Sequence, residues 1–212
     1  MHVADGFLPA PVCIGGYAAT GLMTWYSLRQ IDRETDPRQG VPKAALLAAA
    51  FFVASSIRVP VPPASVHLVL NGMLGAVLGY FAFPAILVGL FFQAVMFGHG
   101  GLTTLGVNAI IMGVPALISY WLFSLRHRFE KETRWQLGVF AFLAGAMAVG
   151  LSTVLFYAIV VTNIPAQWNV DAERIAVGLL VLSHVPLMAI EGAFTTLLAL
   201  FLQQVKPSLL EG

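Results

Sequence analysis

The sequence of 212 residues has little charge and almost no cysteine. Only 10% of its residues are charged and 58% are apolar, against about 25% charged residues in soluble domains. The mean hydropathy is +0.85. The single cysteine, Cys13, excludes an internal disulfide framework and a zinc cluster built from cysteines. The net charge of +1 provides no basic field for nucleic acid. These deficits indicate a membrane protein with no nucleic-acid partner.

Several enzyme signatures are also absent from the sequence. There is no His-Glu-x-x-His motif of a zinc protease and no Gly-x-Ser-x-Gly turn of a hydrolase. No phosphate loop is present either, so the chain does not hydrolyse ATP by that route. The length suffices for about six to eight membrane spans of roughly 20 residues each, without a nucleotide-binding domain. We therefore do not expect an enzyme.

Charged residues, prolines and glycines divide the chain into seven apolar segments, which are too long and too continuous for barrel strands. We expect an all-α polytopic membrane protein with a bundle of about seven transmembrane helices, forming a single domain over residues 1–212. The triple-proline stretch after the second segment cannot be regular helix. The segments cover about residues 12–28, 43–57, 65–81, 84–97, 103–125, 135–162 and 174–203.

The basic residues of the loops predict the orientation. With seven spans, nine lysines and arginines lie on one side, in the loops 29–43 and 126–134 and at Lys206. Only Arg58 and Arg174 lie on the other side. Loops rich in Lys and Arg remain in the cytoplasm, so the N-terminus is expected outside and the C-terminus inside. An eight-span arrangement would weaken this asymmetry only slightly, and the charges favour seven.

The N-terminus lacks the positive stretch of a signal peptide, since the first basic residue is Arg29. We expect no cleavage, and the large side chain of His2 disfavours removal of the initiator methionine. Met1 is then expected to carry a free amine. The residues Asp5 and Gly6 predict a turn that folds this segment back.

A free amine followed by histidine is a chelating terminus. The amine of Met1, the deprotonated amide nitrogen of His2 and its imidazole Nδ1 present three nitrogens roughly in a plane. Such a set suits Ni(II) or Cu(II) and suits zinc, magnesium or calcium poorly. His67, expected near the same membrane face, is the natural fourth ligand. Because the ligands must lose their protons, affinity is expected to drop as the pH falls through roughly 6.5.

Other polar residues within the apolar segments are candidates for secondary roles. His99, in a glycine-rich loop, either binds metal in transit or caps a helix. Three amides could orient the histidines or form hydrogen bonds between helices. His184 and Glu191 share one helix face and form either a buried network or a proton relay. The three amides are Asn71, Gln93 and Asn108.

Three motifs give the chain a family resemblance. Residues 1–8 (MHVADGFL), 65–68 (SVHL) and 100–108 (GGLTTLGVN) resemble the CbiM/NikM family, the substrate-binding components of cobalt and nickel energy-coupling-factor transporters. The resemblance implies that the N-terminal segment plugs into the helix bundle. It also implies a metal site made by Met1, His2 and His67.

The resemblance further implies a transport subunit of a prokaryotic cytoplasmic membrane, with Ni(II) as the favoured cargo. Its expected partners are membrane lipid, a coupling transmembrane subunit, ATPase subunits and a small additional membrane subunit. Two alternatives stay open at this point. One is the same role for Co(II), and the other is a secondary metal transporter that uses His184 and Glu191 for proton coupling.

Overall fold

The computed structural model describes residues 2–55, 57–61, 64–129, 133–165 and 167–210. Within this part of the chain, seven α-helices form the bundle, which confirms the expected all-α architecture. Judged by length and composition alone, four helical stretches could cross a membrane, at residues 71–97, 105–128, 134–162 and 170–205, although the first of them is divided at Gly79. The helices are α1 (Ala10–Ile31), α2 (Gly40–Ala54), α3 (Asn71–Leu78), α4 (Ala82–Phe97), α5 (Leu105–Ser124), α6 (Arg134–Thr162) and α7 (Val170–Val205).

A short antiparallel hairpin separates α2 from α3. Its strands are β1 (Arg58–Val61) and β2 (Ala64–His67), with Arg58 paired to His67. The apolar segment expected to be helical from residue 65 therefore begins as a strand, and the prediction was wrong over residues 65–70. Apolar composition marks these residues for burial, but it does not distinguish a strand from a helix in so short a run.

The stretch 71–97 folds back on itself. A straight helix of this length would extend about 40 Å, yet the rings of His67 and His99, which flank it, have centroids 5.1 Å apart. The chain reverses at Gly79, whose φ of +58° is easily adopted only by glycine, and continues through the 3-10 turn Gly79–Phe81. All eight residues of α3 are buried. At about 12 Å, α3 is a central helix too short to cross a hydrocarbon core of about 30 Å alone.

Glycines allow the helices around α3 to approach closely. A Cβ atom built on Gly75 would overlap the carbonyl oxygen of Ala116 in α5, and one built on Gly72 would lie 2.6 Å from the carbonyl oxygen of Ala144 in α6. Small residues at helix contacts are typical of membrane bundles, because close packing replaces the hydrophobic driving force there. The contacts hold α3 between α5 and α6.

We expect Gly75→Ala to destabilise the bundle by about 1–3 kcal/mol, because the added methyl group has no space beside the Ala116 backbone. The matched control is Gly21→Ala in α1, where a Cβ atom would meet nothing within 4 Å. Thermal unfolding of both variants in detergent measures the effect. A Gly75→Ala protein as stable as the control would contradict the close approach of α3 and α5.

Candidate metal centre

Three histidines from three separate segments meet at one end of the bundle. His2 belongs to the N-terminal segment, His67 ends β2, and His99 follows α4. One ring nitrogen of each lies within 4.8 Å of the others. Two nitrogens bound to one metal ion, each at about 2.1 Å, are at most about 4.2 Å apart. The cluster therefore needs only a small contraction to hold a single ion.

The ring of His2 lies at the middle of this cluster. Its centroid is 4.3 Å from that of His99 and 5.1 Å from that of His67. Both ring nitrogens of His2 are buried, and neither has a hydrogen-bond partner among the described residues. A buried polar atom without a partner is destabilising, and a bound metal ion would satisfy one of the two.

The protonation of His2 and His67 suits metal binding. Both residues lie outside the seven helices. Burial lowers the pKa of the His67 imidazole to about 3, and burial also lowers the pKa of His2. The Nδ1 atom of His67 lies 3.0 Å from the carbonyl oxygen of Leu68, to which its N–H donates. The other nitrogen, Nε2, therefore keeps the lone pair that a metal requires.

Hydrogen bonds to Val3 hold the N-terminal segment inside the bundle. The Val3 amide donates to Oδ1 of Asn108 (2.8 Å), and Nδ2 of Asn108 donates back to the Val3 carbonyl (3.0 Å). The hydroxyl of Thr104 donates to the same carbonyl at 2.7 Å. Val3 is buried, so these side chains replace the water that its backbone would otherwise bind. They place the adjacent His2 in the cluster.

Asp5 anchors the same segment to the start of α5. Its carboxylate accepts hydrogen bonds from the Thr103 hydroxyl (2.6 Å), the Thr103 amide (2.8 Å) and the Leu102 amide (3.2 Å). The bond from the Thr103 hydroxyl is the main cause that lowers the pKa of Asp5. A Cβ atom on Gly101 would overlap this carboxylate. The sequence predicted only a turn at Asp5, and its role as an anchor was missed.

Gln93 lies beside the His2 imidazole. Its carboxamide faces the ring and favours the protonated form of the imidazole. Nε2 of Gln93 donates to the hydroxyl of Ser55 (2.6 Å), and that hydroxyl donates to the carbonyl of Phe52 (2.9 Å). The oxygen of Gln93 has no partner among the described residues. This arrangement leaves the Gln93 oxygen as an acceptor for an N–H of His2.

The two other candidate amides have different neighbours. Asn71 is fully buried, and its Nδ2 donates to the Met112 carbonyl (3.0 Å) and to the Ser152 hydroxyl (2.8 Å). It therefore links α3 to α5 and α6. Asn108 is bound to the Val3 backbone. Both amides position backbone segments, and sequence alone could not reveal which carbonyls they would meet.

His184 and Glu191 use their hydrogen bonds elsewhere than on each other. Nδ1 of His184 donates to the Leu180 carbonyl in its own helix, at 2.7 Å. The Glu191 carboxylate accepts from the amides of Val69 and Leu70, just after His67. The contact between Glu191 and the His67 segment was not predicted. Met1, the remaining predicted ligand, lies outside the described residues.

Comparison with known proteins identifies the family of the chain. Residues 2–209 match the model of the CbiM family, described as cobalt uptake substrate-specific transmembrane region. A candidate metal transport protein of Haemophilus influenzae is 32% identical over 99% of this chain and 97% of its own length. The cobalt transport protein CbiM of Sorangium cellulosum is 30% identical over 100% of this chain and 95% of its own length.

A fused nickel transport protein, NikMN, of Rhodobacter capsulatus is 38% identical over 54% of this chain and 33% of its own length. The crystal structure of a transition metal transporter shares the fold, with a TM-score of 0.77 and 21% identity over 97% of this chain and 93% of that one. The family match covers nearly the whole chain and confirms the resemblance to this family. The chain belongs to the CbiM family of cobalt uptake substrate-specific transmembrane regions.

Proposed function

We propose that this chain captures Ni(II) for an ATP-driven importer of the energy-coupling-factor type. In this proposal residues 1–212 form a single transmembrane metal-binding domain. The chain is a multi-pass membrane component of a cobalt and nickel uptake system, and its family is not a family of enzymes. The observation that carries the proposal is the cluster of His2, His67 and His99, with both His2 nitrogens buried and without a described partner.

In this proposal the metal is held by the Met1 amine, by the amide nitrogen and Nδ1 of His2, and by Nε2 of His67. The oxygen of Gln93 accepts a hydrogen bond from the N–H at Nε2 of His2, which leaves Nδ1 free for the metal. A partner that sets the tautomer in this way is usual for a metal-bound histidine. The hydrogen bond from His67 to the Leu68 carbonyl supports the choice of Nε2 on the other side of the ion.

The choice between nickel and cobalt depends on His99. Four nitrogens in a plane favour Ni(II). The ring of His99 is closer to His2 than the ring of His67 is, so a fifth nitrogen is within reach. A five-nitrogen site would suit Co(II) better, and cobalt is therefore the second candidate. The nickel and cobalt names of the relatives support both ions.

The energy for import comes from partners in this proposal, because the sequence lacks a phosphate loop. The partners are a coupling transmembrane subunit, ATPase subunits and a small additional membrane subunit. The chain lies in a prokaryotic cytoplasmic membrane with its N-terminus outside, as the loop charges favour. A proton-coupled secondary transporter is less well supported, since His184 and Glu191 bond to backbone rather than to each other.

We expect purified protein to bind one Ni(II) per chain, and His67→Ala to lower the affinity by at least tenfold because one of four ligands is lost. His99→Ala is the matched control, and it should bind nickel with a smaller loss. Calorimetric titration of both variants with Ni(II) and Co(II) measures the two effects. If His99→Ala is the weaker binder, His99 rather than His67 completes the nickel site.

We expect an N-terminal extension of several residues to abolish metal capture, because the Met1 amine becomes a peptide amide. The same extension after Gly212 should be harmless. Nickel uptake by cells that express either protein with its partner subunits gives the comparison. Equal uptake at equal membrane levels would exclude the amine as a ligand.

We expect about two protons to be released per nickel bound at pH 6.5. One comes from the Met1 amine, whose usual pKa is about 7.7–8.0, and one from the His2 amide. The imidazoles contribute little, because burial lowers the pKa of His67 to about 3 and that of His2 as well. The drop in affinity below neutral pH is thus assigned to the amine and the amide, and not to histidines titrating near 6.5. Calorimetry in buffers of different ionisation enthalpy counts the protons, and a count near three would contradict the assignment.

A further inference from the structure

We propose that Glu191 is a positioning residue for the metal centre. Glu191 lies in α7, and its carboxylate binds the backbone turn that follows His67. The conformation of this turn determines the orientation of the His67 imidazole. The inference rests on the proposed metal site, and it assigns to Glu191 neither a metal-binding role nor a proton-transfer role.

The contact is a buried carboxylate against two consecutive backbone amides. Oε1 of Glu191 accepts from the Val69 amide at 2.5 Å and from the Leu70 amide at 3.1 Å, and Oε2 accepts from the Leu70 amide at 3.0 Å. Glu191 is only 1% exposed, so water does not compete for these bonds. Both carboxylate oxygens are committed to the turn.

The turn needs such an external partner. Val69 and Leu70 immediately precede α3, where amides have no acceptor within the helix. The residue before α3, Leu70, has a side chain that cannot accept a hydrogen bond, and α3 has no side-chain cap of its own. The φ of Leu70 is +53°, a left-handed conformation that is unfavourable for a residue with a Cβ atom. Glu191 supplies acceptors for these two amides and thereby stabilises this conformation.

The turn at Val69 and Leu70 is connected to the proposed metal ligand, His67, through only one intervening residue. The His67 imidazole donates to the carbonyl of Leu68, and the next residue, Val69, is the one bound by Glu191. On its other side, His67 is paired with Arg58 in the hairpin. The ligand is therefore held between the strand pair and the carboxylate, and a shift at Val69 would turn the imidazole away from His2.

The position of Glu191 is itself set by close helix packing. A Cβ atom on Gly145 of α6 would lie 2.7 Å from the Glu191 carbonyl and 3.0 Å from the Cα atom of Gly192. The backbone of α7 is thus pressed against α6 at this residue. Of the four long apolar stretches, the one formed by α7 is the least buried, yet through this side chain it contacts the turn that follows His67.

The test compares Glu191→Ala and Glu191→Gln with Ser183→Ala. Ser183 is a buried polar residue of the same helix, and among the described residues it donates only to carbonyls of its own helix. We expect Glu191→Ala to weaken nickel binding about 10- to 100-fold and to change the visible absorption spectrum of the bound ion. Glu191→Gln keeps one acceptor oxygen and should lose less, whereas Ser183→Ala should match the wild-type affinity and spectrum.

Hydrogen exchange of the Val69 and Leu70 amides provides a second measurement on the wild type and Glu191→Gln, for the case that Glu191→Ala does not fold. Protected amides in the wild type, with faster exchange in the Gln variant, are expected. Unchanged affinity, spectrum and exchange in the Glu191 variants would overturn this inference alone. Failure of the wild-type protein to bind nickel or cobalt would instead overturn the proposed function, and this inference with it.

Discussion

The candidate site depends on the hydrogen bonds that pair Val3 with Asn108 and Thr104. A backbone segment outside helices and strands that lies inside an apolar bundle has amides and carbonyls that lipid and aliphatic side chains cannot satisfy. The side chain of Asn108 satisfies both groups of Val3, because its oxygen accepts from the Val3 amide and its nitrogen donates to the Val3 carbonyl. A neighbouring β-strand would provide the same two hydrogen bonds. With that pair in place, His2 lies between His67 and His99 at one end of the bundle. Without this pairing, the Val3 backbone would lose its hydrogen bonds to water on entering the bundle and would gain none in exchange.

The glycine-rich loop before α5 is the second condition for this docking. Gly100 has a φ of +83°, and a Cβ atom there would lie 3.1 Å from the amide of Asn108 and 3.5 Å from His2. Gly101 leaves room for the carboxylate of Asp5. The loop therefore does two things at once: it brings His99 to the cluster and leaves space for the segment that carries His2.

Much of the helical architecture was predictable, because long apolar runs have few other structures in a membrane. The expected chelate of Met1 and His2 came from the sequence, since a histidine that follows a free amine offers a distinctive set of nitrogens, and it stays a prediction. The reversal at Gly79 was predicted only as a boundary between segments, whereas the strand at His67 was not predicted. The role of Glu191 could not be foreseen at all, because its partners are backbone amides about 120 residues away in sequence. Because nearly every residue has a backbone amide, the sequence does not mark which residues such a carboxylate will bind.

The order of synthesis gives the docked N-terminal segment a further property. Val3 leaves the ribosome 105 residues before Asn108, and Val69 leaves it 122 residues before Glu191. At about 5–20 residues per second, His2 spends seconds without the partners that place it. The pairing of Val3 with Asn108 can form only after this part of α5 has been made, and the contact of Val69 with Glu191 only after this part of α7 has been made. A chain that stalls before α5 would leave His2 without the partners that hold it beside the other two histidines, so the proposed metal site is completed only after α5 has been made.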